Sequence, residues 1–203
     1  DCIFEDNTVP MSAVYHVGGG PLLVASRVEI KFTARSSRRP ARHRCISTQV
    51  ASSIFRNNIA DVATENDDDN KEIKNSGKGS AMRVTDGTLE VRDSIFEGNS
   101  QYKQGAIYTW DTLNISLTNC TFADNEAQDG RGGAVALEVS EEPQDMDRSS
   151  LQVRDCKFRG NEAKGGAGGA LYALRIRNVN ISNCLFAGNE AYNNVGGGVY
   201  VQR

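Results

Sequence analysis

Leu151-Gln152-Val153-Arg154-Asp155-Cys156-Lys157-Phe158-Arg159-Gly160-Asn161 alternates apolar and polar residues, loses step at Asp155-Cys156 and resumes at Phe158. Alternation with a period of two marks a strand that buries one face. The break falls on an Asp, a residue that tolerates the left-handed backbone of a tight bend. Two strands joined by a sharp corner are therefore expected here. Val179-x-Ile181-x-Asn183-Cys184-x-Phe186 and Leu89-x-Val91-x-Asp93-Ser94-x-Phe96 read the same way, and Asn119 takes the bend position in a further copy.

Outward from this stretch, Phe-x-x-Asn occurs six times, at Phe4/Asn7, Phe55/Asn58, Phe96/Asn99, Phe122/Asn125, Phe158/Asn161 and Phe186/Asn189. The shortest intervals between successive Phe residues give a unit of 26 to 28 residues. Longer intervals carry polar insertions near 35–45, 61–76 and 138–150. A second landmark lies between the first: Gly18-Gly19-Gly20, Gly79-Ser80-Ala81-Met82, Gln104-Gly105-Ala106-Ile107, Gly132-Gly133-Ala134-Val135, Gly168-Gly169-Ala170-Leu171 and Gly196-Gly197-Gly198-Val199. A glycine pair before a small and an aliphatic residue reads as a corner entering a strand. One unit is then strand, Asn/Asp bend, strand ending in Phe-x-x-Asn, polar loop, glycine corner, strand. Stacking such units places Phe over Phe and Asn over Asn at about 4.8 Å. The expectation is an all-β solenoid, a parallel β-helix of about six coils with three short strands each, forming one domain over 1–203.

The frame L-x-x-L-x-L-x-x-N of leucine-rich repeats also fits Val153 to Asn161, and its period overlaps the one found here. That architecture needs a helix or 3₁₀ turn on its convex side. The Glu-Ala-Lys-Gly-Gly-Ala-Gly-Gly-Ala that follows Asn161 opposes one.

Twenty glycines, four prolines and 7% aromatic residues suit short strands and tight turns. A net charge of −3 lacks the basic excess that brings a surface to nucleic acid, and no window approaches eighteen consecutive apolar residues, so neither a nucleic-acid partner nor a membrane span is expected in this segment. The sequence opens inside Cys-x-Phe and stops inside Gly-Gly-Gly-Val-Tyr-Val without a visible cap. It is expected to be part of a longer polypeptide, its open ends covered by further coils or by other protein chains.

Repeated Phe-x-x-Asn with Gly-Gly-Ala-(Ile/Leu/Val) resembles the passenger repeats of the polymorphic outer-membrane proteins and, more broadly, the pectate-lyase-like right-handed parallel β-helix superfamily. The resemblance covers nearly the whole chain and departs from the pattern at Gly79-Ser80-Ala81, at Gln104-Gly105-Ala106 and in the arginine-rich insertion. It implies a right-handed coil, an extracellular or cell-surface setting and a structural or adhesive role, with polysaccharide binding or cleavage as the alternative. Cleavage needs paired carboxylates about 5 to 9.5 Å apart, or clustered acidic calcium ligands with an arginine. Gly-His-Gly is missing, and His16 and His43 lie outside the repeated strands, so catalytic residues and cofactors are expected to be absent.

The remaining candidates are features of the surface and the core. Arg35, Arg38, Arg39, Arg42 and Arg44 crowd one insertion, where they suit an anionic partner such as a surface glycan, or the acidic 138–147 segment of this chain. Glu126, Glu162 and Glu190 share one register, which a solvated row of carboxylates explains better than a calcium site. Asp67, Asp68 and Asp69 lack EF-hand spacing. Cys2, Cys120, Cys156 and Cys184 each stand two before a Phe and read as a stack of buried thiols; Cys45 lies in an insertion. Asn114-Ile-Ser and Asn180-Ile-Ser are glycosylation sequons whose Asn alternates with inward residues, while Asn119-Cys-Thr falls in a tight bend.

Overall fold

A computed structural model describes residues 2–5, 8–9, 47–60, 80–85, 87–141, 147–192 and 195–203. Asn7, His16, the five insertion arginines, His43, Cys45, the 61–76 insertion and the first glycine corner fall outside these residues.

All regular structure within them is strand, arranged as four parallel sheets that run along one axis. The first sheet holds the Leu-x-Val strands β3 (Ser47–Ala51), β7 (Thr88–Arg92), β11 (Asn114–Thr118), β15 (Ser150–Arg154) and β19 (Asn178–Ser182). The second holds the Phe strands β1 (Cys2–Glu5), β4 (Ser53–Arg56), β8 (Ile95–Glu97), β12 (Thr121–Ala123), β16 (Lys157–Arg159) and β20 (Leu185–Ala187). The third holds two-residue strands β2 (Thr8–Val9), β5 (Ile59–Ala60), β9 (Ser100–Gln101), β13 (Glu126–Ala127), β17 (Glu162–Ala163) and β21 (Glu190–Ala191). The fourth follows the glycine corner with β6 (Met82–Thr85), β10 (Ile107–Trp110), β14 (Val135–Glu138), β18 (Leu171–Leu174) and β22 (Val199–Gln202). This is the expected parallel β-helix. The three expected strands recur coil after coil, and a fourth, of two residues, occupies what reads in sequence as polar loop. The leucine-rich-repeat frame is overturned, because no helix stands where its convex side requires one among the described residues.

Each coil pairs in register with the next: Phe55 with Phe96, Phe122 with Phe158, Phe158 with Phe186, and, by backbone position, Phe4 with Phe55. One continuous core runs through Val50, Leu89, Val91, Ile115, Leu117, Leu151, Val153 and the Phe column. The Asn/Asp bend has the expected left-handed backbone, with φ of 52° at Asp93, 52° at Asn119, 55° at Asp155 and 51° at Asn183. Ser52 takes the same place at φ 50°. A second left-handed column lies inside Phe-x-x-Asn, one residue before the Asn, at Asn57, Gly98, Asp124, Gly160 and Gly188. That corner turns the chain from the Phe strand into the two-residue strand.

The two glycines of the corner do different jobs. Gly132, Gly168 and Gly196 have φ of 60°, 70° and 76°, where a side chain is strained. A Cβ on Gly133 would lie 2.4 Å from the Gly169 carbonyl oxygen, and one on Gly169 would lie 2.1 Å from that of Gly197. The second glycine is thus required by the close approach of the next coil. Gln104 replaces a first glycine and Ser80 a second; the Ser80 hydroxyl is buried with no hydrogen-bond partner among the described residues.

The acidic connection after β14 begins later than its composition suggests. Glu138 is the last residue of β14 and is buried, and Ser150 opens β15. Glu141 and Asp147 pair with Arg175 and Arg177 of the next coil.

Candidate functional site

Among the described residues an Asn ladder runs through the interior, bonded from coil to coil. Asn99, Asn125 and Asn161 are completely buried, and Asn58 nearly so. The Oδ1 of Asn99, Asn125 and Asn161 each accepts from the preceding coil's Asn twice, from its backbone N–H and from its Nδ2. For Asn125 the distances are 3.1 Å from Asn99 N and 2.9 Å from Asn99 Nδ2. The Asn125 Nδ2 donates to Asn161 Oδ1 at 2.9 Å and to the Phe96 carbonyl at 3.0 Å. Buried amides cost free energy unless paired, and this column pairs every one of its inner members. Beside it the Phe rings stack with centroids 4.6, 4.9, 4.8 and 4.7 Å apart from Phe55 to Phe186, with planes within 9°.

The thiols line the same interior at the bend. Cys120 and Cys156 are 1% exposed and Cys184 is half-buried; all three are free. Each Sγ donates to the carbonyl two residues back, at 3.2 Å for Cys120 and 3.1 Å for both Cys156 and Cys184. The Cys120 N–H donates to Cys156 Sγ at 3.4 Å. Ser53 and Ser94 make the same bonds with oxygen. Hydrogen bonding with Cys120, then burial, pushes the Cys156 thiol far above its ordinary range, and burial raises Cys184. The same hydrogen bond with Cys156 lowers the Cys120 thiol, so it is Cys156 and Cys184 that are held protonated, as bend-closing donors.

On the outside, Glu126, Glu162 and Glu190 do form one register column. Lys164 enters it, 2.8 Å from Glu126 and 3.6 Å from Glu162. The hydrogen bond to Glu126 raises the lysine pKa above its usual value. Among the described residues no group of three His, Cys, Asp or Glu side chains stands together to hold a metal ion. Lys164 offsets part of the negative charge at Glu126 and Glu162.

Asn114 and Asn180 both face outward from the first sheet and are exposed. Ser150 Oγ donates to Asn114 Oδ1 at 2.9 Å. Asn119, in its bend, donates through Nδ2 to Asp93 Oδ1 at 2.8 Å. The same outer face carries a shallow trough of about 330 Å³, lined by Ser47, Thr88, Glu90, Asn114, Ser116 and Gln152. Its hydroxyls, amides and one carboxylate share the lining with Leu89 and Ile115.

A further cluster escapes the repeat reading. Tyr108, Ala136, Ala167 and Tyr172 are buried on the outer side of the fourth sheet, with Trp110, Leu174 and Tyr200 packed against them. Tyr108 OH donates to Glu138 Oε2 at 3.1 Å, and burial followed by this carboxylate raises the phenol well above its usual value. Arg131 donates to Tyr172 OH at 3.0 Å and lies 5.1 Å over its ring. The sequence signal is present: strands such as that with Val135-Ala136-Leu137 are apolar at successive positions, the mark of burial on both faces.

Compared with curated proteins and with solved structures, the chain has no match. Residues 42–203 match the model of the right-handed β-helix region, which agrees with the parallel stacked sheets, and the chain therefore belongs to that family.

Proposed function

We propose that this β-helix is a non-catalytic structural or adhesive module of the extracellular space or cell surface, working as a stiff spacer or as an interaction surface. The observation that carries the reading is the unbroken Asn ladder beside its Phe stack, which repeats one interior coil after coil. An interior of this kind supports a stiff rod, because each coil is bound to both neighbours by side chain as well as backbone. The side chains that chemistry would recruit are also engaged elsewhere: thiols in the bends, Glu126 and Glu162 with Lys164. The test is incubation with uronic-acid polymers and assay of unsaturated and reducing ends. No release is expected, and turnover above a heat-denatured control overturns the proposal.

A second reading has its own support. The trough over Thr88, Asn114 and Gln152 offers the hydroxyl and amide donors and acceptors that bind sugar hydroxyls, which favours a carbohydrate-binding β-helix. Calorimetric binding of an oligosaccharide without cleavage, lost on Gln152→Ala, supports this reading over a purely structural one. The exposed, outward Asn114 and Asn180 are the proposed glycosylation sites if the chain passes through a eukaryotic secretory pathway. Peptide mapping before and after enzymatic deglycosylation checks both against Asn119.

A further inference from the structure

The thiol column has a spacing that closing the bends does not require. Thr121 pairs with Lys157 and Lys157 with Leu185, so Cys120, Cys156 and Cys184, each one residue earlier, stack in successive coils. Their sulfurs occupy the same place in each coil. Cys120 Sγ lies 3.2 Å from the Thr118 carbonyl and 3.6 Å from the Val91 carbonyl of the preceding coil. Cys156 repeats this with Arg154 at 3.1 Å and Leu117 at 3.5 Å, and Cys184 with Ser182 at 3.1 Å and Val153 at 3.6 Å. Equivalent sulfurs of neighbouring coils are therefore one strand spacing apart, about 4.8 Å. That is too wide for a disulfide, whose sulfurs meet at about 2.0 Å. It matches two metal–thiolate bonds in line, each about 2.3 Å long.

We propose that Cys120 and Cys156 together bind one thiophilic d10 cation that takes two ligands in line, the class of Cu(I), Ag(I) and Hg(II). Thiolate is the ligand that such soft cations select. Zn²⁺ is a poor occupant: it takes four ligands, and among the described residues no group of three His, Cys, Asp or Glu side chains stands together to supply them. Each thiol gives its proton to water as its sulfur–metal bond forms, and the metal keeps its oxidation state. The carbonyls that lose the S–H donors stay bonded, since Thr118 O accepts the Asp93 N–H and Arg154 O the Asn119 N–H, both at 3.0 Å. The Cys120 N–H, 3.4 Å from Cys156 Sγ, remains to donate to the new thiolate. With Hg(II) the two thiolate charges cancel that of the ion, so the site stays neutral where an uncompensated charge would be costly. Both thiols are 1% exposed, so the ion enters through transient opening of the bend or during folding.

The test uses the 203-residue chain carrying Cys2→Ser, Cys45→Ser and Cys184→Ser, which leaves only the pair. Serine suits the bend position, where Ser53 and Ser94 already make the same bonds. Refolded with Hg(II) and washed with an excess of a small monothiol, this chain is expected to keep one ion. X-ray absorption should show two sulfurs at about 2.3 Å, and the thermal midpoint should rise above that of the metal-free chain, because the ion binds the folded state. Adding Cys156→Ser leaves a single thiol and lowers the affinity about a hundredfold, since the second ligand is no longer held in place. Cys120→Ser does the same and stands in if the first variant fails to fold. Retention of the ion by a single-thiol variant at the parent's affinity overturns the proposal. So does a midpoint that falls on adding the metal, which marks binding to the unfolded chain, or a doubled mass in sedimentation, which marks an ion held between two molecules.

Discussion

At the scale of single residues, the buried amides carry more than their number suggests. Asn125 satisfies Asn99 twice, the Phe96 carbonyl once and Asn161 Oδ1 once. Asn125→Ala orphans groups on both neighbouring coils, and each buried orphan costs about 1 to 3 kcal/mol. A loss of about 3 kcal/mol or more is expected in urea-denaturation free energy, against under 1 kcal/mol or so for an exposed polar residue such as Gln152. The thiols give a pH signature. The fold holds Cys156 and Cys184 in the protonated state, while an unfolded chain ionises its thiols near about pH 8.5. Their contribution is therefore complete below that pH and is lost as the pH rises towards the folded-state values. Denaturation midpoints should fall above about pH 8.5, and the fall should be shallower in Cys156→Ser, since serine already makes the same bonds at Ser53 and Ser94. These roles are only partly legible in the sequence. The repetition marks Asn and Cys as inward and important, but the donors and acceptors that the Asn side chains meet belong to residues 26 to 44 positions away.

At the scale of elements, a strand is stable here because it lies between two copies of itself. The Phe122 ring is stacked on both sides, by Phe96 and by Phe158, and is completely buried; among the described residues Phe186 is stacked on Phe158 alone, and it is half-buried. Phe122→Ala is expected to cost about 3 to 5 kcal/mol and Phe186→Ala about half of that or less, measured as the difference in unfolding free energy from the native chain. Equal losses would mean that stacking between coils contributes little beside burial within a coil. The strand pattern itself was readable from alternation and from the Asp and Asn bends. The two-residue strands were not, because Glu-Ala or Ser-Gln carries no period, and only pairing with the same pair one coil away turns it into a strand. The arginine-rich insertion, the most basic segment in the sequence, lies outside the described residues.

At the scale of the whole molecule, stability is a sum of coil terms and of contacts between neighbouring coils, so opening is easiest where a neighbour is missing. In the isolated 203-residue segment, hydrogen exchange should be slower at Phe122, Asn125, Phe158 and Asn161 than at Phe186 and Asn189. A uniform rate along the axis would instead indicate a single cooperative unit.

By itself, the sequence determined the repeat, the inward faces of the strands, the bends at Asp93, Asn119, Asp155 and Asn183 and hence the β-helix, because each follows from chemistry within one coil. Tertiary structure alone decided what meets across coils. Lys164 bridges Glu126 and Glu162, Tyr108 finds Glu138, Arg131 covers Tyr172, and the Gly169 carbonyl occupies the space that a side chain on Gly133 would need. The physical reason is the variable length of the insertions: they change the sequence distance between stacked residues from one coil to the next, and only the hydrogen-bonded register brings those residues together.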